Sequence, residues 1–159
     1  MMTLYHSPAT AAMAVHWLLI ELGLPHRLHG LDFDKREQKS PDYLKLNPAG
    51  VVPTLVIDDG PPICEAAAIA MHLADLYPDR DLCPAPATPA RAQYYRWMFF
   101  LANTLQPAYR AWFYPTEPAG EPNVEATKRE ARARIETAWG QGAAHPEPKA
   151  GRALAARKP

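Results

Sequence analysis

The sequence predicts an α/β unit over its first half, followed by an all-α unit. Three observations carry this expectation. Short apolar runs alternate with helix-period segments as far as Tyr77. Eleven of the 18 prolines then follow Tyr77, four of them within Pro78–Pro89, as in a semi-rigid linker. From Pro89 onward the apolar residues recur at helical spacing and are strongly aromatic.

The elements follow in order. Thr3 to His6 is a short strand, ended by Ser7-Pro8. Ala11 to Leu22 is a helix whose Val15, Leu18, Leu19 and Leu22 form one apolar stripe. Ser7 or Thr10 can cap it, and Gly23 suits the left-handed residue after its end. A second strand covers about Arg27 to Leu31, and Asp32 to Lys39 is a charged, solvated loop. Ser40-Pro41-Asp42 caps a short helix ending near Leu46. Pro48 stops helix continuation through Asn47, and Gly50 permits a sharp turn. Pro53 belongs at the mouth of the strand Thr54–Asp58, since proline cannot donate to a ladder. The Val52-Pro53 bond is trans by composition alone; a cis bond would turn the backbone of Val52 outward, free to pair with a short peptide. Asp59-Gly60 signals a hairpin, Pro62-Ile63-Cys64 a brief edge strand. A helix from Glu65 to Tyr77 follows, with Ile69, His72, Leu73 and Leu76 on one face. The order β-α-β-α-β-β-α, with a right-handed first crossover, describes a small sandwich of the thioredoxin-like kind.

The second unit opens with Thr88 as N-cap and Pro89 as first helical residue. Its helix runs towards Trp112, is apolar on more than one face, and should kink at Pro107. Tyr114 to Pro122 is a loop, and a charged helix with the thin stripe Ala131, Ile135, Ala138, Trp139 spans 125–139. The expected division is 1–78 for the α/β unit, 79–88 for the linker, 89–139 for a partial helical unit and 140–159 for a disordered tail.

Composition narrows the function. The 159 residues carry no formal net charge, which argues against nucleic acid or an anionic membrane as main partner. No apolar run is long enough to span a membrane, and the N-terminus has no secretory signal pattern. Cys64 and Cys83 make no metal or CxxC spacing, so a reducing cytoplasm is expected. The six histidines match no metal spacing, and no metal is expected.

Several motifs together reach a family. Leu4-Tyr5-His6-Ser7-Pro8, Glu21-Leu22-Gly23, the run Asn47 to Leu55, Glu65-Ala66-Ala67-Ala68-Ile69 and Tyr77-Pro78 resemble those of the cytosolic glutathione transferases, over about Thr3 to Trp139. The resemblance implies that Pro53 is cis and that the backbone of Val52 pairs with the cysteinyl unit of glutathione. It implies that Glu65 holds the γ-glutamyl ammonium, aided by the N–H of Ala66, and that Gln38 lies near the glycyl carboxylate. A hydroxyl between the first strand and first helix would stabilise the glutathione thiolate, which is the nucleophile. Thr10, Ser7 and Tyr5 are the candidates. Thr10 is nearest the serine-type position, an N-cap role for it being equally natural, and Tyr5 also reads as an edge-strand residue. The thiol of one bacterial class falls at Ala11, and the serine that often follows the glutamate falls at Ala66. The family also implies a homodimer. Its helical domain has five or more helices, of which two are legible here, so the loss of periodicity at Gly140 reads as a truncation or a shifted frame.

Three functions compete. The first is a glutathione transferase, with glutathione as co-substrate and a small electrophile held against the helix from Pro89. The second is a non-catalytic glutathione-binding or dimerising module, inactive through truncation. The third, a thiol-disulfide reductase, is opposed by the absence of cysteine between Ser7 and Ala12.

Overall fold

The computed structural model describes residues 1–144, which fall into two compact units that divide between Phe99 and Phe100. The first contains a four-stranded sheet: β1 (Met2–His6), β2 (His26–Gly30), β3 (Thr54–Ile57) and β4 (Ile63–Cys64), in the order β2-β1-β3-β4. β1 and β2 are parallel, with Leu4 opposite Leu28, as the crossover through helix α1 (Ala12–Glu21) requires. β3 runs antiparallel to β1 and β4 antiparallel to β3, with Leu4 opposite Leu55 and Leu55 opposite Ile63. The remaining helices of this unit are α2 (Pro41–Leu46), α3 (Ala66–Leu76) and α4 (Pro89–Phe100), the last ending at the division.

The core lies where α1 and α3 cover the sheet. Leu4 and Leu55 project from adjacent strands onto Val15, Leu19 and Leu22 of α1 and Ile69 and Leu73 of α3, all almost fully buried. Each such side chain contributes roughly 1.5–3 kcal/mol on burial. The expected stripe of α1 is confirmed. That of α3 is narrower than expected: His72 and Leu76 are exposed, and Ala74 is buried in their stead.

The predicted stops operate as physics asks. Gly23 has φ +65°, its N–H reaches the carbonyl of Ile20 and that of Leu24 the carbonyl of Leu19, a Schellman closure. Ser40 accepts from the N–H of Tyr43 at 3.3 Å and Pro41 opens α2. Between β3 and β4 both Asp58 and Asp59 have positive φ, and Gly60 N–H returns to Ile57, so the hairpin turn is built on two aspartates ahead of the glycine.

After Tyr77 a 3-10 turn (Pro78–Arg80) leads into the proline-rich stretch. Thr88 caps α4, accepting from Arg91 N–H at 3.2 Å. Arg91 is 4% exposed. Its guanidinium donates to Asp75 Oδ2 of α3 at 2.7 Å, to the Pro84 carbonyl at 3.0 Å and to Cys83 Sγ at 3.2 Å, and lies against the rings of Tyr94 and Tyr95. One side chain thereby ties α3, the linker and α4 together. Its hydrogen bond holds the Asp75 carboxyl below the ordinary aspartate range, and burial pushes the Cys83 thiol up.

The second unit is helical. A π turn over Leu101–Leu105 leads to α5 (Gln106–Phe113), followed by the one-turn α6 (Thr116–Ala119), a 3-10 turn (Glu121–Asn123) and α7 (Val124–Ala143). The expected kink at Pro107 takes the form of the π turn just before it. Gln106 N–H reaches back to the carbonyl of Leu101, so an extra residue is taken up where proline has no N–H to offer Asn103. The stretch expected as a loop, 114–122, contains α6, held by a two-pronged Arg110–Glu117 pair at 2.8 Å. The last helix runs on through Gly140 to Ala143, past its expected end at Trp139. The disordered tail expected over 140–159 lies, from His145 on, outside the described residues. Among the described residues, the buried side chains of this unit are Leu105, Ala108, Ala131 and Ala138. Trp139 is exposed on its face but donates its indole N–H to Tyr109 Oη at 3.0 Å.

Candidate active site

The sequence-nominated residues of the first unit gather around three features: the turn from β1 to α1, the loop from Asn47 to Pro53, and the N-terminus of α3.

The loop is shaped by what its neighbours allow. Gly50 has φ +61°, and a Cβ there would meet the backbone oxygen of Gln38 at 2.8 Å, so both conformation and space demand glycine. Val52-Pro53 is a cis peptide, as the resemblance implied. Val52 is buried and precedes the ladder, which begins at Thr54. No turn or loop backbone hydrogen bond among the described residues uses its N–H or C=O. Beneath the loop, Tyr43, Asn47 and Thr54 are nearly solvent-free and bonded to one another. Tyr43 Oη donates to the Val51 carbonyl at 2.6 Å and lies 2.9 Å from Thr54 Oγ1. Asn47 Nδ2 donates to the same carbonyl at 2.8 Å and to Thr54 Oγ1 at 3.2 Å, while its Oδ1 accepts from Ala49 N–H. Burial raises the Tyr43 phenol above its ordinary range. Sequence reading missed this network because two of its members look like ordinary core residues. Asn47, ahead of Pro48, was its one visible sign.

Glu65 is the residue immediately before α3, with φ 69° and ψ 113°. For a residue with a Cβ this conformation is costly, of order 1–3 kcal/mol, and such outliers collect where geometry serves a ligand. The side chain is exposed, its carbonyl accepts from Ile69 N–H at 2.9 Å, and Ala66 begins the helix. A helix N-terminus offers unpaired N–H groups to an anion, and the Glu65 carboxylate can face a cation beside it. Gln38, half buried, has its Oε1 shut away without a partner, an amide end that still needs a hydrogen-bond donor. Next to it, Lys39 Nζ donates to the Ala49 carbonyl at 3.0 Å.

The three hydroxyls stand in different states. Thr10 is half buried, donates to the Ser7 carbonyl at 2.6 Å and accepts weakly from Ala12 N–H at 3.4 Å, so it braces the turn into α1. Ser7 is buried. Tyr5 packs its ring between those of His29 and Tyr43, at centroid distances of 4.7 and 5.6 Å. Beyond it, His6, His16 and His26 form a chain of ring contacts, and burial with the neighbouring His16 and His29 lowers the His6 pKa. Among the described residues no group of three or more His, Cys, Asp or Glu is arranged to hold a metal ion. No described helix is long and apolar enough to cross a membrane.

A mixed β-α-β-α-β-β-α sheet unit, with an unladdered backbone loop before β3 and a strained start to the helix after β4, defines a thioredoxin-like domain followed here by helices. The comparisons agree with this class. The profile of the glutathione S-transferase N-terminal domain matches residues 10–76. The chain is 34% identical to glutathione S-transferase GST-4.5 of Xanthomonas campestris pv. campestris, over 91% of this chain and 70% of that one. It is 34% identical to glutathione S-transferase GstA of Escherichia coli O157:H7, over 79% of this chain and 63% of that one. A glutathione transferase homologue from Sulfitobacter, solved with bound glutathione, superimposes with TM-score 0.75 at 31% identity, covering 86% of this chain and 66% of that one. The chain belongs to the cytosolic glutathione S-transferase family. It spans about two-thirds of the length of these relatives.

Proposed function

We propose that the chain is a glutathione transferase that binds glutathione on its first unit and promotes attack of the thiolate on a small electrophile. The observation that carries the reading is Glu65, a non-glycine residue held at φ 69° at the start of α3. An exposed carboxylate at the residue before the open N–H groups of the helix suits the ammonium and carboxylate of a γ-glutamyl group. The unladdered backbone of Val52 then pairs with the cysteinyl unit as an added strand, next to Pro53. The Gln38 amide NH2, not its buried Oε1, donates to the glycyl carboxylate, and Ala66 lends its N–H to the γ-glutamyl carboxylate. The relative solved with glutathione bound supports this choice of ligand.

At the β1–α1 turn the sulfur meets the positive end of α1 and the Thr10 hydroxyl. To reach it, Thr10 gives up one neutral hydrogen bond to Ser7, about 0.5–1.5 kcal/mol, for one to a charged sulfur, about 1.5–3 kcal/mol. The exchange is favourable, and Thr10 is more accessible than the buried Ser7. Tyr5, packed between two rings, is a wall of this region. The thiol proton leaves to solvent, and the thiolate sulfur forms a bond to the electrophilic carbon as that carbon's leaving group departs with its bonding electron pair. Two unpaired cysteines, Cys64 and Cys83, suit a reducing cytoplasm. The homodimer belongs to the same reading.

Retention on immobilised glutathione, thermal unfolding with and without glutathione, and turnover of a generic electrophile test the proposal together. Glutathione at a hundred times its Kd should stabilise the fold by about 2.7 kcal/mol. No shift at millimolar glutathione removes the binding site. A shift without turnover leaves a binding module in place of an enzyme.

A further inference from the structure

The buried ring beneath the loop has a function that the direct ligand contacts do not express. A peptide unit is planar and, unless it precedes proline, trans, so its C=O and N–H point in opposite directions. Val51 C=O and Val52 N–H belong to one such unit. Tyr43 Oη at 2.6 Å and Asn47 Nδ2 at 2.8 Å both pull the Val51 carbonyl inward. The Val52 N–H is thereby aimed outward. We propose that Tyr43 is a positioning residue for glutathione: its hydroxyl fixes the Val51–Val52 peptide plane so that the Val52 N–H is presented to the ligand backbone.

The polar atoms of this network are bonded chiefly to one another. Tyr43 has one, and it goes to Val51. Asn47 has two, which go to Val51 and Thr54 Oγ1. Thr54 Oγ1 then lies 2.9 Å from Tyr43 Oη and 3.8 Å from Cys64 Sγ, either of which can take its proton. Every member is satisfied, and Tyr43, Asn47 and Thr54 are all almost free of solvent. Two donors on the Val51 carbonyl hold the peptide plane before any ligand arrives. The hydroxyl of Tyr43 can be removed without emptying the core, because Asn47 still bonds both acceptors.

This inference rests on the proposed glutathione reading, so the experiment separates the two. The ligand reading is decided first, on the unaltered chain. The positioning role is then read from Tyr43→Phe, with Ile57→Val as a variant weakened elsewhere in the sheet. In the ligand-free Tyr43→Phe chain the Val52 amide, no longer held in one peptide plane, should show a lower backbone order parameter than in the parent, and in Ile57→Val it should not. Glutathione affinity should fall about 3- to 10-fold in Tyr43→Phe, the loss of one hydrogen bond's orienting effect. The KM for glutathione should rise by the same factor, while kcat and the KM for the electrophile stay within about twofold. An unchanged Val52 order parameter overturns the proposal whatever the ligand. So does an unchanged glutathione affinity in a parent that binds, or a loss matched by Ile57→Val.

Discussion

Replacing Asp75 by alanine removes the carboxylate that faces the buried Arg91 guanidinium. The guanidinium would keep the Pro84 carbonyl at 3.0 Å and Cys83 Sγ at 3.2 Å but lose its shortest bond, 2.7 Å, and its counter-charge. Breaking a buried pair from one side costs about 3–5 kcal/mol. The Asp75 side chain is 46% exposed, so solvent screening reduces the figure to about 2 kcal/mol. Arg91→Met keeps a packed stem against Tyr94 and Tyr95 and removes the charge, so it should be milder than Asp75→Ala. In the double variant Asp75→Ala should add almost nothing. Urea unfolding of the four proteins at pH 7 gives the coupling directly, expected at about 1.5–2 kcal/mol. A coupling below about 0.5 kcal/mol would refute the reasoning, since the two residues would then act independently. The pH dependence has a definite sign. The folded-state pKa of Asp75 is depressed, so its contribution is complete above the unfolded value of about 3.9 and is lost as pH falls through the lower folded value. The stability gap between parent and Asp75→Ala should therefore narrow in acid and stay level towards neutrality.

Other perturbations address the site and the surface. Glu65→Ala should weaken glutathione binding by about 1.5–3 kcal/mol in a titration, and undiminished affinity would take Glu65 out of the site. Thr10→Ala should lower kcat/KM and raise the pH at which the bound thiol ionises, while Thr10→Ser restores both; a pH–rate profile identical to the parent's would assign Thr10 to bracing the turn alone. Gly50→Ala should cost about 2–4 kcal/mol in chemical unfolding, from left-handed strain plus a contact with backbone at Gln38, and a neutral result would mean the loop moves freely. The chain should sediment as a dimer or larger species at micromolar concentration. Phe99 is 59% exposed on α4, Phe113 is 69% exposed in the second unit, and three of the four buried side chains noted there are alanines. A monodisperse monomer that melts cooperatively would count against this association.

Much of the sheet unit was legible because its signals are local. Gly23, Ser40-Pro41 and Thr88-Pro89 each state a stop or a start in two residues, and the β-α-β order follows from spacing. The ligand-facing residues Val52, Pro53, Gln38 and Glu65 came from motif resemblance, and their backbone states add what no residue name carries. Nothing in the letters of Glu65 announces φ 69°. The Arg91–Asp75 lock joins positions sixteen residues apart through a folded proline stretch, and an arginine at the start of a helix looks like a solvated charge until the chain closes over it. On α3 the 3.6-residue pattern named His72 and Leu76 as inward, but it cannot say how wide a strip the sheet covers. Helix α7 outran its expected end because Gly140 and Gly142 lower propensity without forbidding the conformation.

The π turn before Pro107 has a consequence for how the long aromatic segment is read. Each residue advances an α-helix by about 100°, so one extra residue in a turn resets the angular phase of everything downstream. A single helical wheel drawn from Pro89 to Phe113 therefore mixes two phases, and the apparent apolarity all around it is partly a superposition of two narrower stripes. Winding the same residues as unbroken α-helix would swing Ala108 about 100° around the axis, whereas deleting one residue between Leu101 and Leu105 would remove the surplus and leave Ala108 facing as it does, so the π turn is what keeps Ala108 buried.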